Sequence, residues 1–290
     1  MMETKQRRGR NAVTRKQLWC AALALALLPL SRWFDDGAEQ IHYRNKVAVL
    51  TYHHLNDAES DVTVSPERFA SHLQALKRNG FHVIPMQQFI GFLQHREQVP
   101  PNAVVITFDD GYESVYRFAY PMLKAENMTA TVFLIVGYVG RPGFLNWDQI
   151  AEMRRGGFEF YSHSYMSHET ATVDGRSVTP LVGPLSDASG GRRETEAEYE
   201  ARVLGDLTTA DRILAAKLGN RVNLLCLPHG QYSSALLRIA RRADIAYVFT
   251  GIKGFNTSHE RLIKRINAGS PDVTAAKLVA ELATGRWAGD

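Results

Sequence analysis

The chain has 290 residues, enough for one large domain or two small ones, and its 45% apolar and 22% charged residues suit a globular protein with a sizeable core. The net charge of +4 is concentrated in the first sixteen residues, which hold six Lys/Arg against one Glu, while the rest of the chain has 28 basic and 29 acidic residues. A chain that is neutral outside its tail offers no footprint for a phosphate backbone, so nucleic acid is not expected as a partner; the two cysteines, Cys20 and Cys226, make no disulfide framework.

Leu18 to Leu30 (LWCAALALALLPL) is apolar and uncharged. It is short for a membrane span of about 20 residues, and its basic flank suits a secretory hydrophobic region. No clean Ala-x-Ala site follows, so an uncleaved signal-anchor stays open beside a cleaved signal. Residues 1–33 are therefore expected to direct export, 34–45 to act as a tether, and 46–290 to form a single catalytic domain at the cell surface or beyond it. The membrane is expected to touch only the N-terminal segment.

Val47–Thr51 reads as a strand followed directly by Tyr52-His53-His54. Ser65 and Pro66 open a helix with Phe69, Leu73 and Leu76 on one face and Gly80 as its stop. Phe81–Pro85 reads as a short strand and Met86–Leu93 as a helix. Val104–Phe108 is an apolar run that stops at Asp109-Asp110-Gly111, so two carboxylates sit at the mouth of a buried strand. That is a costly place for charge unless a cation or a reaction uses it. Val115–Leu123 has helical periodicity with Pro121 kinking or restarting it. A strand is expected over 130–136, a helix over 147–155, and a strand over 158–161 that ends in Ser162-His163 and leads to His168. Residues 170–193 have no period and read as one long loop, a size usually reserved for function or disorder. A helix over 194–218 follows, then a strand over 224–227 ending in Pro228-His229-Gly230. A helix over 233–242, strands over 247–250 and 262–266, and a helix over 273–283 complete the chain.

Alternating strands and helices over roughly 245 residues predict an α/β fold with a parallel sheet, of a size that fits a (β/α) barrel. His53/His54, Asp109/Asp110, His163/His168 and Pro228-His229 each come just after a strand. In a parallel barrel all strand C-termini lie on one face, so the four clusters converge on one mouth.

His163 and His168 with one Asp make a His₂-carboxylate set of the kind that binds a divalent metal, zinc first among them, with a position left open. The second carboxylate suits a general base, and His53 or His54, titrating near working pH, suits a general acid for a leaving amine. A glycosidase using Asp109 and another carboxylate is a competing reading, but it gives the two histidines no role.

Thr107-Phe108-Asp109-Asp110-Gly111 and His163-Ser164-x-x-x-His168 resemble the two leading motifs of the polysaccharide deacetylases, the NodB-homology group also known as carbohydrate esterase family 4. The resemblance covers about residues 46–268. It implies a distorted (β/α) barrel with Asp109 as base, Asp110, His163 and His168 on a divalent metal (usually zinc), and hydrolysis of the N-acetyl group on N-acetylglucosamine units. The chain departs from the family pattern in three places. The histidines are spaced His-x4-His where His-x3-His is commonest. The Arg-x-Pro-Tyr-Gly motif reads Cys226-Leu227-Pro228-His229-Gly230, so Cys226 stands where the base-orienting Arg is expected, and Arg265 is the candidate replacement. The late Leu-x-x-His motif is absent, and Tyr52-His53 stands early instead. This combination is similar to the branch acting on poly-β-1,6-N-acetylglucosamine of biofilm matrix, with His53 as acid and His54 second. His54, Tyr165, Pro228, His229 and Arg265 are the candidate substrate contacts, and Trp147 and the 170–193 loop are further candidates for a sugar groove. The expected partner is an N-acetylglucosamine polysaccharide bound by a monomer. Peptidoglycan or chitin oligomers are alternative substrates, and a catalytically silent carbohydrate-binding barrel is the alternative outside enzymes.

Overall fold

The computed structural model describes residues 40–173, 176–186 and 191–287. The expected export segment, half of the tether and six residues of the 170–193 stretch lie outside the described residues. The compact unit runs from Ile41 to Asp290. Among the described residues, no helix is long and apolar enough to cross a membrane.

The apolar runs of the sequence form the walls of a barrel. β1 (Val47–Tyr52) and β5 (Ala103–Phe108) are buried at every position, as strands covered on both faces must be. They pair in parallel along their whole length, from Val47 against Ala103 to Tyr52 against Phe108. Parallel pairing then continues through β6 (Thr131–Leu134), β7 (Glu159–Ser162), β10 (Asn223–Cys226), β11 (Ile245–Phe249) and β13 (Leu262–Ile263). β14 (Ile266–Asn267) pairs in parallel with β1, so the ring nearly closes. The seam between β13 and β14 is crossed by Lys264-Arg265 alone. β12 (Phe255–Asn256) runs antiparallel to β1, and its buried Asn256 bonds both the N–H and the carbonyl of Lys264. β4 (His82–Val83) lies against β5.

The helices are α1 (Pro66–Arg78), α2 (Met86–Leu93), α3 (Tyr120–Ala125), α4 (Trp147–Arg155), α5 (Glu196–Leu218), α6 (Ser234–Arg242) and α7 (Ala275–Thr284). Alternate strand positions separate two cores, because successive strand side chains point to opposite faces. Val49, Val105, Phe133, Tyr161, Cys226, Phe249 and Ile263 share the barrel interior. Leu50, Ile106, Phe108 and Val132 face out onto helices that contribute Phe69, Leu73, Leu76, Ile150 and Met153.

The structure follows the sequence reading with local differences. Ser65 caps α1 by accepting from Arg68 N–H, with Pro66 at the first turn. The helix expected over 115–123 begins as a π turn, Val115–Ala119, before α3 takes over with Pro121 in its first turn. α5 starts at Glu196, later than its periodicity suggests, because Thr195 and Glu198 form a capping box there. The strand expected over 262–266 is two short strands with Arg265 turned inward between them. The stretch expected to be one structureless loop carries a short antiparallel pair, β8 (Ala171–Val173) and β9 (Arg176–Val178). A second short pair, β2 (His54–Leu55) with β3 (Thr63–Val64), left no periodic signal because each strand has two residues. Packing also reaches into the expected tether: Tyr43 is buried, stacks near Phe255 and donates to the carbonyl of Ala103.

α5 carries one acid on its buried face. Asp211 is 8% exposed and its Oδ2 has no hydrogen-bond partner. Burial, with Asp244 nearby, pushes its carboxyl up from 3.8 to about 7. The unfolded chain therefore loses this proton near pH 4, while the folded chain keeps it until about pH 7. Stability falls as pH rises through that window and is flat above it. Asp211→Asn, which cannot ionise, is expected to be more stable than wild type by roughly 2–4 kcal/mol at pH 8 and by much less at pH 4.5. Urea midpoints at the two pH values check this; an equal difference at both would refute it.

Candidate active site

The inward alternation of the strands continues past their C-terminal ends and brings polar side chains to one mouth. His53 follows Val49 and Thr51 on β1, Asp109 follows Val105 and Thr107 on β5, His163 follows Tyr161 on β7, and Arg265 follows Ile263 across the seam. All four line a cavity of about 410 Å³, together with Asp110 and His168.

Asp109 is 2% exposed and fully engaged. Arg265 Nη1 donates to both its oxygens, at 2.8 and 2.9 Å. The Cys226 thiol donates to Oδ2 at 3.4 Å, and His53 Nε2 stands 3.8 Å from the same oxygen. Arg265 is itself fixed by Nε donating to the carbonyl of Thr250. Burial pushes the Asp109 carboxyl up, but Arg265, His163 and His53 outweigh it and hold the group below its ordinary value. Asp109 is thus an ionised carboxylate locked in place. Burial lowers the His53 imidazole, with Asp109 and Asp110 acting the other way. The arginine that the resemblance led to expect at 226 is answered in space: Arg265, two strands away at the seam, reaches the same carboxylate that the Cys226 thiol touches.

Asp110 reaches the site by a turn. Its φ is +70°, and Gly111 follows at +83°, where an added Cβ would stand 2.7 Å from the Leu134 side chain. Only glycine fits there. His163 Nε2 and His168 Nε2 converge on Asp110 Oδ1 at 3.3 and 3.0 Å, yet that buried oxygen has no hydrogen-bond partner. His163 Nδ1 lies 2.9 Å from the carbonyl of Cys226, which can only accept, so Nδ1 carries the proton and Nε2 presents a lone pair. A bare carboxylate oxygen facing an imidazole lone pair is the signature of a cation site. The charge balance agrees: Asp109, Asp110 and Arg265 are all at least 93% buried and sum to one excess negative charge. The donor set of one carboxylate and two imidazoles fits a divalent cation of the zinc type.

The extra residue in His-x4-His is accommodated by a fixed loop. Ser164 turns at φ +75°, and its hydroxyl accepts from Ser167 N–H at 3.1 Å. Asp206 on α5 then accepts from the backbone N–H groups of Tyr165 and Met166, each at 2.9 Å, and from the Ser167 hydroxyl at 2.8 Å. One carboxylate therefore clamps the whole span between the two histidines. Sequence reading missed Asp206; it lies some forty residues away on a helix face, and its only signal is a charge in an otherwise periodic helix.

The remaining expected residues divide. His229 lines the cavity, and its Nε2–H donates to the carbonyl of His168 at 3.1 Å, bracing that histidine. Pro228 is buried under this turn. His54 is paired away from Asp109, 3.4 Å from the Thr63 hydroxyl and edge-on to Tyr112. Tyr165 and Trp147 pack against the outer core, with Lys217 over the Trp147 ring.

A family model described as polysaccharide deacetylase matches residues 96–248. The poly-beta-1,6-N-acetyl-D-glucosamine N-deacetylase of Staphylococcus aureus is 24% identical over 232 residues, spanning 74% of this chain and 76% of that protein. A de-N-acetylase structure from Aggregatibacter actinomycetemcomitans superposes with a TM-score of 0.75 and 26% identity, over 81% of this chain and 99% of that one. IcaB from Ammonifex degensii gives 0.70 and 27%, over 83% and 97%.

The clamp makes a specific expectation. Asp206→Ala leaves the loop's N–H groups to water and loosens His168 relative to His163, so affinity for a divalent cation should fall about 10- to 100-fold. Titration of the metal-free protein with Zn²⁺, followed by calorimetry, checks it, with the thermal midpoint measured alongside. Unchanged affinity would show that the loop holds its shape without the clamp.

Proposed function

This chain belongs to the polysaccharide deacetylase family, and on that premise we propose that it removes N-acetyl groups from N-acetylglucosamine units of an extracellular polymer, poly-β-1,6-N-acetylglucosamine before peptidoglycan or chitin oligomers. Asp109 is the base, His53 the acid, and Asp110, His163 and His168 the holders of a divalent cation, zinc first. The observation that carries the reading is the pairing of two unlike carboxylates in one cavity: Asp109, saturated by Arg265 and Cys226, and Asp110, whose Oδ1 is bare between two imidazoles. The choice of polymer is supported by the names of the relatives and by the early position of Tyr52-His53. Export is supported by the basic and apolar N-terminal sequence.

A cation held by the three ligands would supply Lewis-acid stabilisation to the charge that develops on the acetamide oxygen. The chain's own residues do the rest. Asp109, kept ionised by Arg265, takes a proton from water as the water oxygen bonds to the carbonyl carbon. The C–N bond then breaks, and His53 gives its proton to the departing nitrogen. The products are acetate and a free amine on the sugar. His53 is suited to the task because burial weakens its hold on the proton. The base and the acid end the cycle with the proton on Asp109 and none on His53, and their facing atoms are 3.8 Å apart, so a short transfer resets the pair. Arg265 and the barrel wall hold Asp109 in a geometry prepared before substrate arrives.

The 290-residue protein is expected to release acetate from β-1,6-linked N-acetylglucosamine pentamer, and a chelator should stop it. Asp109→Asn should lower kcat at least 100-fold, and His53→Ala should lower kcat by about 10²–10⁴ with KM little changed. Release that survives exhaustive chelation would refute the metal-assisted reading, and release confined to chitin or peptidoglycan fragments would move the polymer.

A further inference from the structure

A second cleft, of about 160 Å³, opens beside the catalytic cavity and shares Tyr112, His168 and His229 with it. Its far wall is an aromatic corner. Tyr112 and Phe144 stack with ring centroids 5.2 Å apart and 20° between planes, and Tyr138 meets Phe144 edge-on at 5.1 Å. The backbone ties the corner together: Tyr112 and Phe144 form an antiparallel bridge, and Glu113 N–H donates to the carbonyl of Gly143. Rings locked to one another in this way form a ready platform, at low ordering cost, for the apolar C–H face of a sugar ring.

The floor of the cleft carries a carboxylate. Glu169, exposed and next in sequence to His168, accepts from the Tyr138 hydroxyl at 3.0 Å and lines the cleft. Arg141 lies beside it on the same tyrosine, its guanidinium over the Tyr138 ring at 4.1 Å and its Nη2 3.7 Å from the Met166 sulfur, and no ion pair between Arg141 and Glu169 is seen among the described residues. A polymer whose one unit occupies the catalytic cavity must run its neighbouring units along the walls that surround it. A neutral acetamide gains little from a carboxylate there. An ammonium gains an ion pair, and an ammonium is what one turnover of the proposed reaction leaves on the sugar.

We propose that this cleft is a subsite for a hexosamine unit that already carries a free amine, stacked on the Tyr112–Phe144–Tyr138 corner with its ammonium on Glu169. The inference rests on the deacetylase reading of the adjoining cavity. It makes each product unit a recognition element for the next, so that removal of acetyl groups spreads along the chain from units already converted instead of striking at random.

The test uses the 290-residue protein, its Glu169→Gln variant, and β-1,6-linked pentasaccharides that are either fully N-acetylated or carry one free amine at a defined unit. Wild type should show about fivefold higher kcat/KM on at least one singly deacetylated pentamer than on the fully acetylated one, the size of a partly exposed ion pair. Glu169→Gln should lose that preference and keep its rate on the fully acetylated pentamer. Fully deacetylated pentamer, used as an inhibitor, should bind the variant about fivefold more weakly. Equal wild-type rates on every pentamer overturn the proposal, as does a preference that survives in Glu169→Gln. A variant slowed equally on all substrates overturns it too, because Glu169 then acts through His168. No acetate release by wild type from any pentamer is a different result: it overturns the deacetylase reading, and the subsite falls with it.

Discussion

The site depends on the pairing of Arg265 with Asp109. Both groups are more than 90% buried, and the guanidinium spans both carboxylate oxygens from one nitrogen. A buried ion pair is weak evidence for stability, since its desolvation offsets most of its attraction, but removing one partner leaves an unpaired buried charge at about 3–5 kcal/mol. The pair is therefore better understood as a constraint on chemistry. It keeps a carboxylate ionised where burial alone would protonate it, and it aims that carboxylate. The position of Arg265 follows from the seam: β13 and β14 stop short of one continuous strand, and the residue between them turns inward. Asn256 bonds both backbone groups of Lys264 next to it.

Strand parity explains why these residues meet. Odd positions on β1 and β5 face the barrel interior, so Thr51 and His53 continue the line of Val49, and Thr107 and Asp109 that of Val105. A slip of one residue in either strand would turn His53 or Asp109 outward, and the apolar runs below them forbid such a slip. The barrel core thus fixes Asp109 and His53, the proposed base and acid, without any dedicated scaffold. Asp110 and His168 arise differently. They lie after backbone turns at positive φ, in Asp110 itself and in Ser164. Non-glycine residues in that region carry strain, which is commonly found at functional sites.

This division also explains what could be read in the sequence. The alternation of strands and helices, the barrel and the convergence of Asp109, Asp110, His163 and His168 were legible because uninterrupted β-branched runs and the polar residues that end them are local patterns. Arg265 was legible only as a guess prompted by a missing arginine, since nothing local in Leu262–Ile266 shows that the strand breaks around it. Asp206 was invisible: its role is to accept three hydrogen bonds from a loop some forty residues away, and only the packing of α5 against β7 brings it there. β2 and β3 were missed because two-residue strands have no periodicity. His53 and His54 could not be separated by sequence at all. The structure separates them by the alternation of the chain, which turns one into the cavity and the other toward Thr63 and Tyr112.

The two halves of the site therefore differ in how they can change. Asp109, His53 and Arg265 are held by the barrel interior, where a shift of any one disturbs close-packed neighbours such as Cys226 and Phe249. The histidines proposed as ligands are joined by a loop whose shape is set by the Ser164 turn and the Asp206 carboxylate, outside that packing. The wall beyond them, from Tyr112 to Phe144 and Glu169, lies farther still from the core and is joined to it through His168 and His229. On the proposed reading, chemistry is built on the part of the fold that tolerates least change, and recognition of the polymer on the part that tolerates most. Both halves draw on residues distant in sequence: the loop between the histidines is held by Asp206 on α5, and the Asp109 carboxylate is met by Arg265 from the seam.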